Sequence, residues 1–116
     1  MHGRILVIDD ETFVLDAIKM ILEDMGHEVD CFNRSVEGER AAIENEYDLI
    51  LVDIRMPEKN GAEVTESILR DRPLAKVLII TAHPTDPLAK RALDSGARGI
   101  LKKPFDIGKI LDFLSA

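Results

Sequence analysis

Four short apolar runs in this chain each end in a polar residue suited to handling phosphate. Ile5-Leu6-Val7-Ile8 leads into Asp9-Asp10, and Leu49-Ile50-Leu51-Val52 into Asp53. Val77-Leu78-Ile79-Ile80 leads into Thr81, and Gly99-Ile100-Leu101 into Lys102-Lys103-Pro104. The first run is β-branched-rich and unbroken, as a strand buried on both faces reads. If all four runs are parallel strands, their polar residues emerge at one edge of one sheet. That edge is where open α/β sheets bind their ligands. Three carboxylates, a hydroxyl and an ammonium gathered there make a site for a divalent cation and a phosphoryl group.

The segments between the runs read as helices. Val14, Leu15, Ile18, Ile21, Leu22 and Met25 recur at helical spacing, with Asp16, Lys19, Glu23 and Asp24 opposite and Gly26 as a C-cap. Residues 28–32 are a shorter, more polar strand suited to a sheet edge. Ser35 is expected to cap a weak second helix to about Asn45, interrupted at Gly38. Met56–Gly61 is a loop by its Pro and Asn-Gly. A helix over 62–70 follows, with Val64 and Ile68 inward, stopped near Pro73. Residues 76–80 form a strand. His83–Pro87 is a loop, Pro87 opens a helix that runs to Ser95-Gly96, and 99–102 is the fifth strand. Asp106 caps a last helix with Ile107, Ile110, Leu111 and Leu114 on one face. Strands alternating with helices imply right-handed βαβ units and a parallel sheet covered on both sides. The expected fold is a flavodoxin-like (βα)5 doubly wound sheet, strand order 2-1-3-4-5, as one domain over 1–116. Its switch point lies between strands one and three, where Asp9, Asp10 and Asp53 sit.

Bulk properties narrow the function classes. A net charge of −7 repels nucleic acid, and no basic stripe overcomes it, so direct nucleic-acid binding is not expected. Cys31 is the only cysteine and cannot close an internal disulfide. This favours a reducing, cytoplasmic setting, with Cys31 as a small buried hydrophobe. No apolar stretch approaches the roughly 18 residues of a membrane helix, and Met1-His2-Gly3-Arg4 does not open a signal peptide.

Three carboxylates in one crevice repel each other, and a bound cation reverses that penalty. Oxygen-only ligands point to a hard ion, Mg²⁺ or Mn²⁺. Pro104 holds Lys103 extended, aiming it along its strand, while alternation sends Lys102 to the other face. Thr81 supplies a hydroxyl donor. His83 and Arg55 each follow a site residue by two positions. His83 lacks the partners of a metal ligand; it reads as a modulator of water access or a plain loop residue, and Arg55 similarly.

At this point the chain resembles the receiver domains of two-component response regulators, the CheY-like family, over essentially its whole length. Ile8-Asp9-Asp10-Glu11 resembles the family's acidic pair. Asp53-Ile54-Arg55-Met56-Pro57, followed by Gly61, resembles its phosphoacceptor segment. Thr81-Ala82 resembles its hydroxyl position, and Lys103-Pro104-Phe105 its lysine. The resemblance implies that Asp53 is the phosphoacceptor, with Thr81 and Lys103 on the phosphoryl oxygens. It implies Mg²⁺ held by Asp10 and Asp53, by Asp9 largely through water, and by the backbone carbonyl of Arg55. The donor would be a sensor histidine kinase or a histidine phosphotransfer protein. The output would be a protein contact through the fourth helix, fifth strand and fifth helix. Such a domain is not a conventional enzyme, although it catalyses its own phosphorylation and dephosphorylation. The fold would consume all 116 residues, leaving no output domain unless the chain is a fragment.

One departure stands out: Ile100 occupies the position, three before Lys103, where the family often carries an aromatic switch. Two other function classes remain open. A haloacid dehalogenase-like phosphohydrolase also uses Asp, Thr or Ser, Lys and Mg²⁺, but wants a second Asp where this chain has Arg55. A receiver-like interaction module that never binds phosphate would not need Asp10, Asp53, Thr81 and Lys103 together.

Overall fold

The computed structural model describes residues 2–116; Met1, which opens the amino-terminal segment read above, lies outside the described residues. Strands and helices alternate without exception: β1 (Arg4–Ile8), α1 (Thr12–Asp24), β2 (Glu28–Phe32), α2 (Ser35–Glu44), β3 (Leu49–Asp53), α3 (Gly61–Asp71), β4 (Val77–Thr81), α4 (Pro87–Asp94), β5 (Gly99–Lys102) and α5 (Ile107–Ser115). The strands form one parallel sheet in the order β2-β1-β3-β4-β5. Ile8 pairs with Val52, Val52 with Ile79 and Ile79 with Ile100, so the four inner strands end almost level.

Strand alternation builds two cores, one on each face of the sheet. Ile5, Val7, Leu49, Leu51, Leu78, Ile80 and Leu101 point toward α1 and α5. Leu6, Ile8, Ile50, Val52, Val77 and Ile79 point toward α2, α3 and α4. Most of these strand side chains are fully buried, each worth about 1.5–3 kcal/mol relative to exposure. The helices on the second face come in on small residues: Ala41 and Ala42 of α2, Ala62 of α3, and Ala89 and Ala92 of α4.

Local details correct two expectations. Ser35 does not cap α2; Arg34 is the N-cap residue, and Ser35 is the first helical residue, its Oγ accepting the Lys59 amide at 3.0 Å. Gly38 does not interrupt α2 either. A Cβ there would meet Ile8 Cγ1 at 2.7 Å, so the glycine lets the helix lie close on β1. Other signals hold as read. Gly26 and Gly96 take φ of +92° and +117° just past the ends of α1 and α4. Asp106 caps α5 through the Gly108 amide at 2.8 Å. Cys31 is half-buried, its Sγ 3.7 Å from the Leu15 carbonyl, and burial pushes its thiol up to about 11. A thiol so hard to ionise is a packing residue. Among the described residues, no helix is long and apolar enough to cross a membrane.

Candidate functional site

The switch point is chemically occupied. Asp9 follows the last residue of β1, and its amide still donates to Phe32 of β2 at 3.1 Å. Asp53 is the last residue of β3, the neighbouring strand. Carboxylate oxygens of Asp9, Asp10 and Asp53 all lie within 4.8 Å of one another. Asp9 and Asp53 are buried, at 0% and 6% exposure, whereas Asp10 is open to solvent. From the far side of β4 comes Lys103. Its amide donates to the Thr81 carbonyl at 2.7 Å, beyond the Thr81–Lys102 register pair, and its peptide to Pro104 is cis. Lys103 Nζ reaches Asp9 Oδ2 at 2.6 Å, Glu11 Oε1 at 3.0 Å and Asp53 Oδ2 at 3.6 Å. Lys102 is exposed, as strand alternation requires.

Electrostatics make this cluster unbalanced. Burial, followed by the charge of Asp9, pushes the Asp53 carboxyl up to about 7, although Lys103 pulls the other way. Burial alone would lower the Lys103 ammonium; its contacts with Asp9, Glu11 and Asp53 outweigh that and raise it. One lysine therefore answers for several carboxylates, and an additional cation is the natural complement. Asp9 supplies a second observation. Its Oδ1 accepts the Glu11 amide at 2.9 Å, but the buried Oδ2, though close to Lys103, accepts no hydrogen bond of good geometry among the described residues. A buried carboxylate oxygen answered by one shared ammonium, beside two further carboxylates, fits a small oxygen-seeking ion.

Thr81, 2% exposed, completes the rim. Its Oγ1 accepts the His83 amide at 3.0 Å, which leaves the hydroxyl proton free to donate. His83 itself is exposed. Gly61 explains how α3 begins so close to the site: its amide donates to the Ile54 carbonyl at 2.8 Å, and a Cβ would sit 2.3 Å from the Asp53 carbonyl oxygen. The Asn60–Glu63 capping box fixes that helix start.

The full domain can now be compared with known proteins. Residues 5–115 match the family described as response regulator receiver domain. The chain belongs to that family. It is 38% identical to the chemotaxis protein CheY of Treponema pallidum, over 97% of this chain and 81% of that protein. It is 35% identical to the alginate biosynthesis transcriptional regulatory protein AlgB of Pseudomonas putida, over 89% of this chain but 23% of that much longer protein. Among solved structures, a CheY-like receiver domain protein from Methanospirillum hungatei superposes with a TM-score of 0.92 at 31% identity, covering 99% of this chain and 95% of that one. The response regulator TrrA of Thermotoga maritima, solved in complex with Mg²⁺ and BeF, superposes with a TM-score of 0.82 at 30% identity, covering 97% and 96%. The chain is thus a receiver domain of the two-component response regulators, and the hydrolase and pure interaction readings are not favoured.

Reading the receiver motifs alone left two residues of this site unnoticed. Glu11 is the third carboxylate on Lys103, beside Asp9 and Asp53, and sits in the Asp-Asp-Glu triplet. Asp86 is the N-cap of α4, and its Oδ2 accepts Arg55 Nε at 2.7 Å. The Asp-Pro pair at 86–87 signalled the cap; nothing local signalled the pairing with Arg55. The Arg55 side chain reaches toward the start of α4.

Proposed function

We propose that this receiver takes a phosphoryl group onto Asp53 from the phosphohistidine of a sensor histidine kinase or a histidine phosphotransfer protein. The observation that carries this reading is the buried Asp53, held next to Lys103 and two further carboxylates at the sheet's switch point. The donor set suits Mg²⁺: Asp10 and Asp53 would bind it directly, Asp9 largely through water, and Arg55 through its backbone carbonyl. When bound, the ion neutralises charge on the phosphoryl oxygens and keeps the carboxylates ionised.

Within the protein, a carboxylate oxygen of Asp53 attacks phosphorus. The P–N bond of the phosphohistidine breaks, its electron pair returns to the imidazole nitrogen, and an acyl phosphate remains on Asp53. Lys103 moves its charge from the carboxylates onto a phosphoryl oxygen, and the free hydroxyl proton of Thr81 donates to another. Water later attacks the acyl phosphate, releasing inorganic phosphate and restoring the carboxylate. The donor has an apolar landing surface beside Lys103, a groove lined by Phe13, Val14, Ile21, Pro104 and Phe105, with Phe13 69% exposed. The output runs through α4, β5 and α5 to a protein target, and a domain of charge −7 is itself ill suited to direct nucleic-acid contact. Residues 1–116 act as one cytoplasmic receiver unit.

Incubation with acetyl phosphate and Mg²⁺ tests the assignment. Intact mass should rise by one phosphoryl group, and the gain should vanish in Asp53→Asn. Undiminished labelling of that variant moves the acceptor elsewhere.

A further inference from the structure

The two helices after the site are attached to it in different ways. α3 is wedged: Gly61 packs on the backbone of Asp53, and the Asn60–Glu63 box locks its first turn. α4 meets the sheet through the small Ala89 and Ala92, with Leu88 partly buried beside them. Charge ties down both its ends. At its carboxyl end Arg91 makes a two-pronged pair with Glu66 of α3, at 2.7 and 2.6 Å, and Ser95 joins the same carboxylate at 3.3 Å. At its amino end Asp86 does two jobs with two oxygens. Oδ1 accepts the Leu88 amide at 2.9 Å and caps the helix, and Oδ2 accepts Arg55 Nε at 2.7 Å. The Asp86 side chain is only 6% exposed, whereas Arg55 is 65% exposed. The carboxylate is the buried partner and the arginine the exposed one.

Arg55 lies two residues from Asp53, on the loop that a phosphoryl group would join. We propose that the Arg55–Asp86 pair is a latch holding α4 in its resting position, which phosphorylation of Asp53 opens. This rests on Asp53 being the acceptor. An aspartyl phosphate carries about two negative charges where the carboxylate carried one, two residues along the chain from Arg55. The guanidinium then has a second, stronger claimant, and its planar fork suits phosphoryl oxygens as well as a carboxylate. Once Arg55 leaves, Asp86 keeps the helix cap but loses the tie to the site. The loop over 83–86, already bonded to Thr81 Oγ1 through the His83 amide, can follow that hydroxyl toward the phosphoryl group. α4 then moves from its amino end and pivots about the Arg91–Glu66 pair.

Asp86→Asn separates cap from latch, because asparagine caps helices as well as aspartate but carries no charge for Arg55. Backbone amide spectra of the whole chain should be recorded free and with Mg²⁺ and beryllofluoride, for wild type and for this variant. In the free variant, resonances over 83–94 should move toward their beryllofluoride-bound wild-type positions, and amide exchange in the first turn of α4 should quicken at least about 5-fold. Beryllofluoride should then shift α4 by less than half the wild-type amount while still shifting Thr81 and Ala82. Arg55→Ala should reproduce the free-state displacement from the other side of the pair. A free Asp86→Asn spectrum that matches wild type beyond residues 85–88, with a full α4 response to beryllofluoride, overturns the latch. If beryllofluoride moves nothing in wild type, the acceptor assignment fails first, and the latch with it.

Discussion

Replacing Asp53 with Asn should stabilise the metal-free protein, by an amount that grows with pH. Burial and then the charge of Asp9 raise this carboxyl from its ordinary 3.8 to about 7. A carboxyl whose folded pKa lies above its unfolded one holds its proton more tightly in the folded state. Below about pH 4 both states are protonated and Asp53 costs nothing. Between about pH 4 and pH 7 the unfolded chain has already released the proton that the fold retains, so stability falls as pH rises, and above about pH 7 the loss is complete. Each pH unit between the two values is worth about 1.4 kcal/mol, which sets a ceiling of about 4 kcal/mol. Asp53 interacts strongly with its charged neighbours, so one substitution is expected to recover only part of that ceiling, about 2–4 kcal/mol. Asparagine resembles the neutral carboxyl and escapes the penalty. Urea denaturation in a chelator should show the two proteins nearly equal at about pH 4 and the variant more stable by that margin at about pH 8. Adding Mg²⁺ at the higher pH should narrow the gap, because the ion favours the ionised wild-type carboxylate. A gap that does not change with pH, or a more stable wild type at high pH without metal, would refute the reasoning.

Two further substitutions probe the same corner. Asp10→Ala removes a carboxylate that helps push Asp53 up, so Asp53 should titrate lower and metal-free stability at neutral pH should not fall, while Mg²⁺-dependent labelling disappears. A rise in melting temperature on adding Mg²⁺ that survives this substitution removes Asp10 from the metal site. Gly61→Ala places a Cβ 2.3 Å from the Asp53 carbonyl oxygen and 2.8 Å from Ile54 Cα, both backbone atoms that cannot step aside. It should cost about 1–3 kcal/mol in urea denaturation and slow labelling of Asp53, since relief requires moving the acceptor's own backbone. Unchanged stability with unchanged labelling would show that α3 is not wedged there.

How much of the molecule is legible in its sequence is a question of range. β1, β3, β4 and β5 announce themselves because buried parallel strands are continuous apolar runs, and their polar ends fall on one edge by topology alone, while β2 shows as the shorter, more polar run of an edge strand. Asp106 and Pro87 are local signals and landed where expected. Gly38 and Ser35 were misread because their roles are tertiary: the one makes room for Ile8 and the other accepts the amide of Lys59. The same limit applied within the site. Asp9, Asp10, Asp53, Thr81 and Lys103 come together through strand order. The pairing of Glu11 with Lys103 and of Asp86 with Arg55 depends on side chains 92 and 31 residues apart that no periodicity links.

That division between packing and charge bears on how a signal leaves the site. The added negative charge of about one unit at Asp53 does little to a side chain wedged among Ile50, Val52 and Ile79, because those contacts carry no charge and the interior is too dense to yield. It acts on groups held by ions. Here these are Lys103, poised between Asp9 and Glu11, and Arg55, poised against Asp86. The first sits inside the site and leads toward β5 and α5; the second leads out to α4. Ile100, half-buried against the α4 face of the sheet, is short and stiff at χ1. It is poorly suited to fill space vacated by Thr81. Under the latch proposed above, the work that a swinging aromatic ring would do by packing falls to two salt bridges, so the coupling should be sensitive to ionic strength. The exposed Arg55 end should feel added salt first, since screening over the Debye length weakens an open pair far more than the buried contact of Lys103 with Asp9.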